Sequence, residues 1–567
     1  FKAAANLQKL QMLSTEVVAE ILASYRFLRK TENCIQALHD QQTHRVPTGE
    51  DGLRVARAMG YKDMPEFQLA LKQTRNTVQS LFEQSLPQPS GPVDDTSPWN
   101  AYWQRVRNSS QDDNQEISDW KPLSAFIKRL NRLSLSQRAS QRLDQFMPLL
   151  LERFNTLSPD DDVINRVLDL VSAICRRSAY LSLLVQNPDA TKHMLELFTA
   201  SKRVAEAVTR YPALLDELID PSLGAYPPTR QDIQAGVQRI LDGGNDTETR
   251  LQDLNYFKQM ISLRIAVAVM KSTMSAFEAS SALTRLAESL VQAVLFLSRL
   301  EMVSRHGHLP GPELAVIGYG SLGAYSLGFN SDLDLIFLFQ PVAEESDGPR
   351  PLSAERYHTN VARRMLSLMS ATTPSGRLYS IDARLRPNGR AGMLVSSVDA
   401  FKRYQLEEAW VWELQALTRA RSFAGDKQTA TSFASIRKTV LTTGRNEARV
   451  RSEVLAMRER LRNEHGDANP LKHGHGGLLD IEFVVQLGLL LNAAEHLDVI
   501  GSTQVGYQLK ALHECGWINA NAYRVLDSAY AQLSHARLQA ALLDNSAEIE
   551  TAPVLDIARA LCVEILG

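Results

Sequence analysis

The stretch Gly318-Tyr-Gly-Ser-Leu-Gly-Ala-Tyr-Ser-Leu-Gly-Phe-Asn-Ser-Asp-Leu-Asp-Leu-Ile-Phe-Leu338, entered through Leu314-Ala-Val-Ile317, constrains the fold of this chain more than any other. An apolar run leads into a glycine-rich turn, and about ten residues later Asp332 and Asp334 sit in a second apolar run that reads as a buried strand. Side chains at i and i+2 share one face of a strand. Two carboxylates side by side there repel each other and lose hydration, which is costly without a compensating cation. Magnesium, which takes carboxylate oxygens together with substrate phosphates, is the natural compensation.

The rest of the chain is organised around that stretch. With 567 residues it is too long for one core and reads as three or four domains. Residues 1–85 are helical in pattern, and laid on the C-terminus at a constant offset of 505 they place Leu7 on Leu512, Leu13 on Ile518, Ile21 on Leu526, Tyr25 on Tyr530, Leu28 on Leu533 and Leu38 on Leu543. Leucine-rich helices produce such agreement by chance; duplication produces it too, with 1–85 then the tail of an earlier unit. Residues 86–114 open on a Pro/Gly/Ser-rich run and read as a linker. Residues 115–300 read as a helical regulatory or interaction domain. One clear helix there is expected to be capped at Ser158, with an Ile164, Val167, Leu168, Val171 stripe. From 301 to 440 short apolar strands (Leu314 to Ile317, Leu333 to Phe339, Leu378 to Leu385) enclose a helix, Ala354 to Ser370, and 395–422 read as helical. Residues 441–567 read as a C-terminal helical bundle, within which a glycine-rich hinge at His473-Gly-His-Gly-Gly477 leads into a final helical block from about 479 to 567.

Charge and cysteines narrow the classes. A balance of 62 basic and 64 acidic residues gives no reason to expect nucleic acid as the main partner. Cys34, Cys175, Cys515 and Cys562 lack CxxC spacing and read as reduced core residues of a cytoplasmic protein. No apolar run approaches the length of a membrane span, so no membrane partner is expected. The opening Phe1-Lys-Ala-Ala suggests a piece of something longer.

A third carboxylate, Asp382, lies in Leu378-Tyr-Ser-Ile-Asp-Ala-Arg-Leu-Arg-Pro387, where strand alternation would put Asp382, Arg384 and Arg386 on one face. One acid and two guanidiniums suit a metal-bound polyphosphate. Gly318, Gly320 and Gly323 let backbone N–H groups approach phosphates, and Ser321 adds a hydroxyl. Each feature alone has a bland reading: a structural glycine turn, a solvated strand end, a calcium site, arginines that merely pair with the acids. Their order and spacing point to a nucleoside triphosphate.

That order resembles the DNA polymerase β-type nucleotidyltransferases: a Gly-Ser turn, Asp-x-Asp, then a later Asp. The longer runs around 318–338, Asp382-Ala-Arg-Leu-Arg-Pro-Asn-Gly, Glu408-Ala-Trp-Val-Trp-Glu-Leu-Gln-Ala-Leu-Thr-Arg-Ala-Arg421 and Lys472-His-Gly-His-Gly-Gly-Leu-Leu-Asp-Ile-Glu-Phe483 resemble the C-terminal, adenylylating part of the bifunctional glutamine synthetase adenylyltransferase/adenylyl-removing family. Tyr25-Arg-Phe-Leu-Arg-Lys-Thr-Glu-Asn33 and Asp40-Gln-Gln-Thr-His44 resemble the tail of that family's first unit. The resemblance implies a mostly α fold with an α+β nucleotidyltransferase (polymerase β-like) domain, its mixed β-sheet flanked by helices, plus helical bundles. It implies transfer of AMP from ATP to a tyrosine of glutamine synthetase, with Mg2+ on Asp332, Asp334 and Asp382. Gly318, Gly320, Ser321, Gly323, Arg384, Arg386 and Lys472 are then expected on the nucleotide, and glutamine and the PII signal protein as effector and partner.

Secondary candidates are Ser331, Glu413, Arg419, Asp480 and Glu482. The helix 405–421 reads first as core packing, with Glu413 and Arg419 as residues that reach the site. Asp480 and Glu482 share a face only on a strand, and a helix is expected to begin there. His473 and His475 lack a further zinc-ligand partner. Two competing functions are a regulatory binding module and nucleotide transfer to RNA; the intact aspartate set opposes the first, and the absence of a basic, aromatic-interleaved stripe the second.

Overall fold

A computed structural model describes residues 14–38, 46–85, 97–108, 120–220, 222–244, 246–465, 469–543 and 551–566. Asp40 to His44, Leu7 and Leu13 lie outside them. The chain divides into two compact units: Phe1–Leu157 with Ile174–Pro188, and Ser158–Ala173 with Asp189–Gly567.

The first unit is helical. Helices Thr15–Ala37, Gly49–Ala58 and Met64–Ser85 close on Ile35, Val55, Ala56, Phe67 and Leu71. The expected linker is in part ordered: Pro98–Asn108 is a helix that buries Trp103, whose Nε1 donates to Asp144 at 2.8 Å. A buried indole with a hydrogen-bond partner anchors a segment as a solvated linker does not.

The second unit carries the sheet. β1 (Ala315–Gly318) lies between β2 (Leu333–Phe339) and β5 (Arg421–Gly425) and is antiparallel to both. β3 (Ile381–Asp382) and β4 (Val395–Ser397) each pair parallel to β2. β2 is buried along nearly all its length, as a central strand of continuous Leu, Ile and Phe should be. The helix Ala276–His306, started by a Ser275/Glu278 capping box, packs on the helix Ala354–Ser370 and on β5.

Several boundaries differ from expectation. The helix Asp161–Ile174 is capped by Asp160, whose Oδ1 accepts from Val163 N at 2.8 Å, while Ser158 sits at φ 44°; the Ile164, Val167, Leu168, Val171 stripe is buried. Leu378 to Leu385 shrinks to the two residues of β3, because the chain turns from Arg384 onward. The 395–422 region contains β4 and the start of β5 as well as the helices Val398–Glu407 and Val411–Thr418. Helix Ala276–His306 runs across the expected boundary at 300/301. One core joins Ala315, Ile336, Val440, Val454, Leu489, Leu533 and Leu566, so 441–567 is not a separate bundle. Pro470–Asn492 is apolar and long enough to cross a membrane by length and composition, contrary to the sequence reading, but 72% of its apolar window is buried inside the protein, as befits a core helix.

Candidate functional site

Three elements converge at the start of β2. Gly318 ends β1, and Tyr319 N donates to the Asp334 carbonyl at 2.9 Å, which ties the glycine turn to the strand. Gly320 adopts φ +54°, and a Cβ there would overlap the Asp334 carboxylate. Ser321 follows at the head of the one-turn helix Gly320–Gly323. Gly323 is pressed against the Arg419 carbonyl, and its own carbonyl accepts from Thr503 Oγ1 at 2.7 Å and from Arg421 Nε at 3.0 Å. Ser331 ties the loop before β2, accepting from Gly328 N at 2.9 Å.

Asp334 is directly opposite Asp382 in the parallel β2–β3 register. Asp332 lies one residue ahead of β2 and is exposed, so only one of the expected pair sits on the buried strand. Burial, then the charge of Asp382 and more weakly that of Asp332, push the Asp334 carboxyl up to about 6, against the pull of Arg419 and Lys472. Asp382 moves the other way: Arg384 donates its Nε to Oδ2 at 2.7 Å and its backbone N to Oδ1 at 2.8 Å, holding the carboxyl below the usual range. Among the described residues no three acid, histidine or cysteine side chains are drawn together closely enough to hold a metal. Yet a half-buried carboxylate with raised proton affinity, opposite Asp382 and two residues after Asp332, fits a divalent cation, which would relieve the repulsion.

The cations sort into two kinds. Arg419 is buried, donates from Nη1 to Glu482 Oε2 at 2.5 Å and from Nη2 to Ser326 Oγ at 3.2 Å, and feels the charge of Asp334. Lys472, on the short helix Pro470–His473, is drawn down by burial while Glu482 and Asp334 support its charge. Both act through their charge on Asp334. Arg386 does not: its guanidinium donates to the carbonyls of Ala383 at 2.6 Å, Gly392 at 3.2 Å and Arg390 at 3.2 Å, and so holds a loop.

Two secondary candidates are structural. Glu413 is buried, accepts from Trp410 N at 2.9 Å and from the Tyr404 hydroxyl at 2.9 Å, and caps its own helix. Asp480 accepts two bonds from Arg458 at 2.8 and 2.7 Å, one from Arg462 at 3.1 Å and one from Gly476 N at 2.8 Å. Burial works against its charge, but these donors outweigh it and lower its pKa. On the helix Leu478–Asn492, Asp480 and Glu482 therefore meet different partners, as a helix requires. Sequence reasoning gave no role to Tyr530 and Arg537, although the offset comparison had picked out Tyr530. Tyr530 is half-buried and feels the charges of Glu482 and Arg419, and Arg537 Nη2 donates to the Ser326 carbonyl at 3.2 Å.

A small mixed sheet flanked by helices, with a glycine turn against an acidic strand, makes this a mostly helical protein with a nucleotidyltransferase-like domain. Residues 191–436 match the family model "Glutamate-ammonia ligase adenylyltransferase". Residues 1–86 and 448–561 both match a second model, "GlnD PII-uridylyltransferase". The chain is 37% identical over 552 residues to the bifunctional glutamine synthetase adenylyltransferase/adenylyl-removing enzyme of Xanthomonas axonopodis pv. citri, covering 95% of this chain and 58% of that protein. It is 35% identical to the counterpart of Nitrosococcus oceani (94% and 58%) and 34% identical to that of Pseudomonas putida (98% and 61%). The chain is thus similar to the glutamine synthetase adenylyltransferases along nearly all of its own length, and it spans about three fifths of the length of these relatives.

Proposed function

We propose that this chain transfers AMP from ATP to a tyrosine hydroxyl of glutamine synthetase and releases pyrophosphate, with Mg2+ as cofactor. The observation that carries the reading is the half-buried Asp334 carboxylate, packed against Gly320, in register with Asp382 and drawn on by the positive charge of Arg419 and Lys472. Asp332, Asp334 and Asp382 would hold Mg2+, which when bound would supply Lewis-acid stabilisation of the phosphate charge and would lower the pKa of the attacking hydroxyl. The tyrosine oxygen bonds to the α-phosphorus as the bond to the pyrophosphate oxygen breaks. Gly320 and Ser321 leave backbone and hydroxyl donors free to approach the phosphates. Lys472 and Arg419 balance the charge that develops on them, with Glu482 fixing the direction of Arg419. Arg384 keeps Asp382 ionised, which suits it to ligate a cation more than to retain a proton.

Control by nitrogen status is part of the proposal. The match of both ends to a family described by its action on PII supports a PII-type protein as partner, and glutamine as effector rests on the family resemblance. Mass spectrometry of glutamine synthetase incubated with this chain, ATP and Mg2+ tests the reaction, and repeating it with PII and glutamine tests the control. An AMP adduct is expected on one tyrosine, and none with Asp332→Asn combined with Asp334→Asn. Labelling that survives the double substitution sinks the assignment.

A further inference from the structure

Two loops deliver the aspartates to the sheet, and both are gripped by helices that precede it. Phe329 and Asn330 lead into Asp332 and β2. Arg203, on the helix Lys202–Arg210, donates from Nη1 to Asn330 Oδ1 at 2.7 Å and from Nη2 to the Phe329 carbonyl at 3.1 Å. Its guanidinium also lies over the Phe329 ring, 5.1 Å from the centroid.

The second loop turns at Thr373–Gly376 and leads through Tyr379 to Asp382 on β3. Helix Thr247–Met270 holds it at two points. Asn255 Nδ2 donates to Thr373 Oγ1 at 3.1 Å, and Lys258 Nζ reaches the Arg377 carbonyl at 3.5 Å while lying 4.3 Å from the centroid of the Tyr379 ring. A Cβ on Gly376, at φ +104°, would stand 2.6 Å from the Tyr211 hydroxyl and 3.0 Å from Gln259 Nε2, so the turn is pressed onto these helices. The loops meet where Leu333 N donates to the Ser380 carbonyl at 3.0 Å.

The chemistry of the grip is informative. Among the described residues neither Arg203 nor Lys258 forms an ion pair; their acceptors are carbonyls, one side-chain amide and ring faces. Such acceptors fix a cation in place without drawing charge from the aspartates. Burial, together with Arg203 and Arg377, brings the Lys258 ammonium down to about 8.

We propose that Arg203 and Lys258 are positioning residues for the adenylyl transfer: through them the helical block sets the placement of the Asp332–Asp334 segment relative to Asp382. The proposal rests on the aspartates' role given above. It also supplies a route by which a change in the helical block reaches the carboxylates.

The test uses the full chain with Arg203→Ala, Arg203→Lys, Lys258→Met and Asn330→Ala. Asn330 is exposed, so its truncation leaves the core closed. Steady-state labelling of glutamine synthetase should show kcat reduced between about tenfold and a hundredfold in Arg203→Ala and Lys258→Met, with KM for ATP changed less than about threefold. Arg203→Lys should recover part of the loss. Arg203→Ala and Asn330→Ala together should lose no more than the worse of the two alone, because they remove one contact. In metal-free protein, amide exchange should rise in 327–333 for Arg203→Ala and in 373–382 for Lys258→Met. The proposal is overturned if kcat stays within about twofold in both variants and in Asn330→Ala, or if exchange rises throughout the helical block, which marks a merely structural role. Intact labelling in the double aspartate variant would instead defeat the catalytic assignment, an outcome that the exchange pattern does not depend on.

Discussion

Asp334 and Asp480 are both carboxylates withdrawn from water in one unit, and the protein treats them in opposite ways. Asp480 is answered on every side by Arg458, Arg462 and the Gly476 N–H, and its pKa is lowered. Asp334 receives no hydrogen bond on its carboxylate among the described residues, faces a second acid, and rises to about 6. The first arrangement is a strut: it joins the helix Glu447–His465 to the helix Leu478–Asn492 and fixes the glycine loop between 473 and 478. The second sets a carboxylate against a glycine turn and a second acid, a perturbed environment of the kind found at functional sites.

If the contrast is right, removing each charge should have opposite consequences. Asp334→Asn is expected to lower labelling of glutamine synthetase by roughly a thousandfold or more, about 4 kcal/mol in transition-state stabilisation. Urea unfolding of the metal-free protein should show the same variant no less stable than the parent, since an uncompensated buried charge is gone. Asp480→Asn should do the reverse. It leaves buried Arg458 without its counter-ion, so a loss of about 3–5 kcal/mol in unfolding free energy is expected, with activity per folded molecule close to the parent's. A catalytic defect in Asp480→Asn without loss of stability would erase the distinction.

The contrast was only half legible in the sequence. β2 from Leu333 to Phe339 and the helix from Ala354 to Ser370 were readable to the residue, because one is continuously apolar and the other keeps a clean helical period. β3 was not, since alternation at 382–386 looks the same whether Arg386 lies on a strand or folds back onto carbonyls of its own loop. Asp480 and Asp334 likewise look alike in one dimension: what separates them is Arg458 and Arg462, some twenty residues away along the chain. The offset of 505 fared better than its leucines alone allowed. It lays the helix Thr15–Ala37 on 520–542, beside the observed Ala520–Ala540, with Ser14 and Asn519 as corresponding caps, and the regions 1–86 and 448–561 match one family model. The environments differ all the same: Tyr530 is half-buried within the core that joins the sheet to the C-terminal helices, whereas Tyr25 is 53% exposed.

The close packing of Asp334 on Gly320 can be disturbed deliberately. Gly320→Ala puts a methyl group where the carboxylate oxygen lies and strains a backbone at φ +54°. Labelling is expected to fall about ten- to a hundredfold, with about 1–2 kcal/mol lost in stability. Adding Asp334→Asn should leave little further to lose, because both changes act on one carboxylate. Independent, multiplying losses would mean that the glycine serves a partner other than Asp334.

The smallest expected effect is the one that reads the two charges directly. In metal-free protein Asp334 keeps its proton to about pH 6, while the unfolded chain releases it near 3.8. Between those values the folded state holds more protons, so this carboxylate costs stability as pH rises, roughly 1–3 kcal/mol in total by pH 7, and returns it as pH falls. Asp480 has the opposite sign: its folded pKa lies below 3.8, so its stabilisation is complete above that value and is lost as pH falls below it. Urea midpoints taken with a chelator from pH 3 to 7 should therefore separate the two variants when each is subtracted from the parent. The Asp334→Asn difference should grow in the variant's favour between pH 4 and 6. The Asp480→Asn deficit should be flat there and shrink only below pH 4. Saturating Mg2+ should shrink the Asp334→Asn advantage at pH 7, since a bound cation stabilises the ionised parent and not the amide. Curves that move together in all three conditions would show that the two acids share one environment, and the division between strut and site would fall with them.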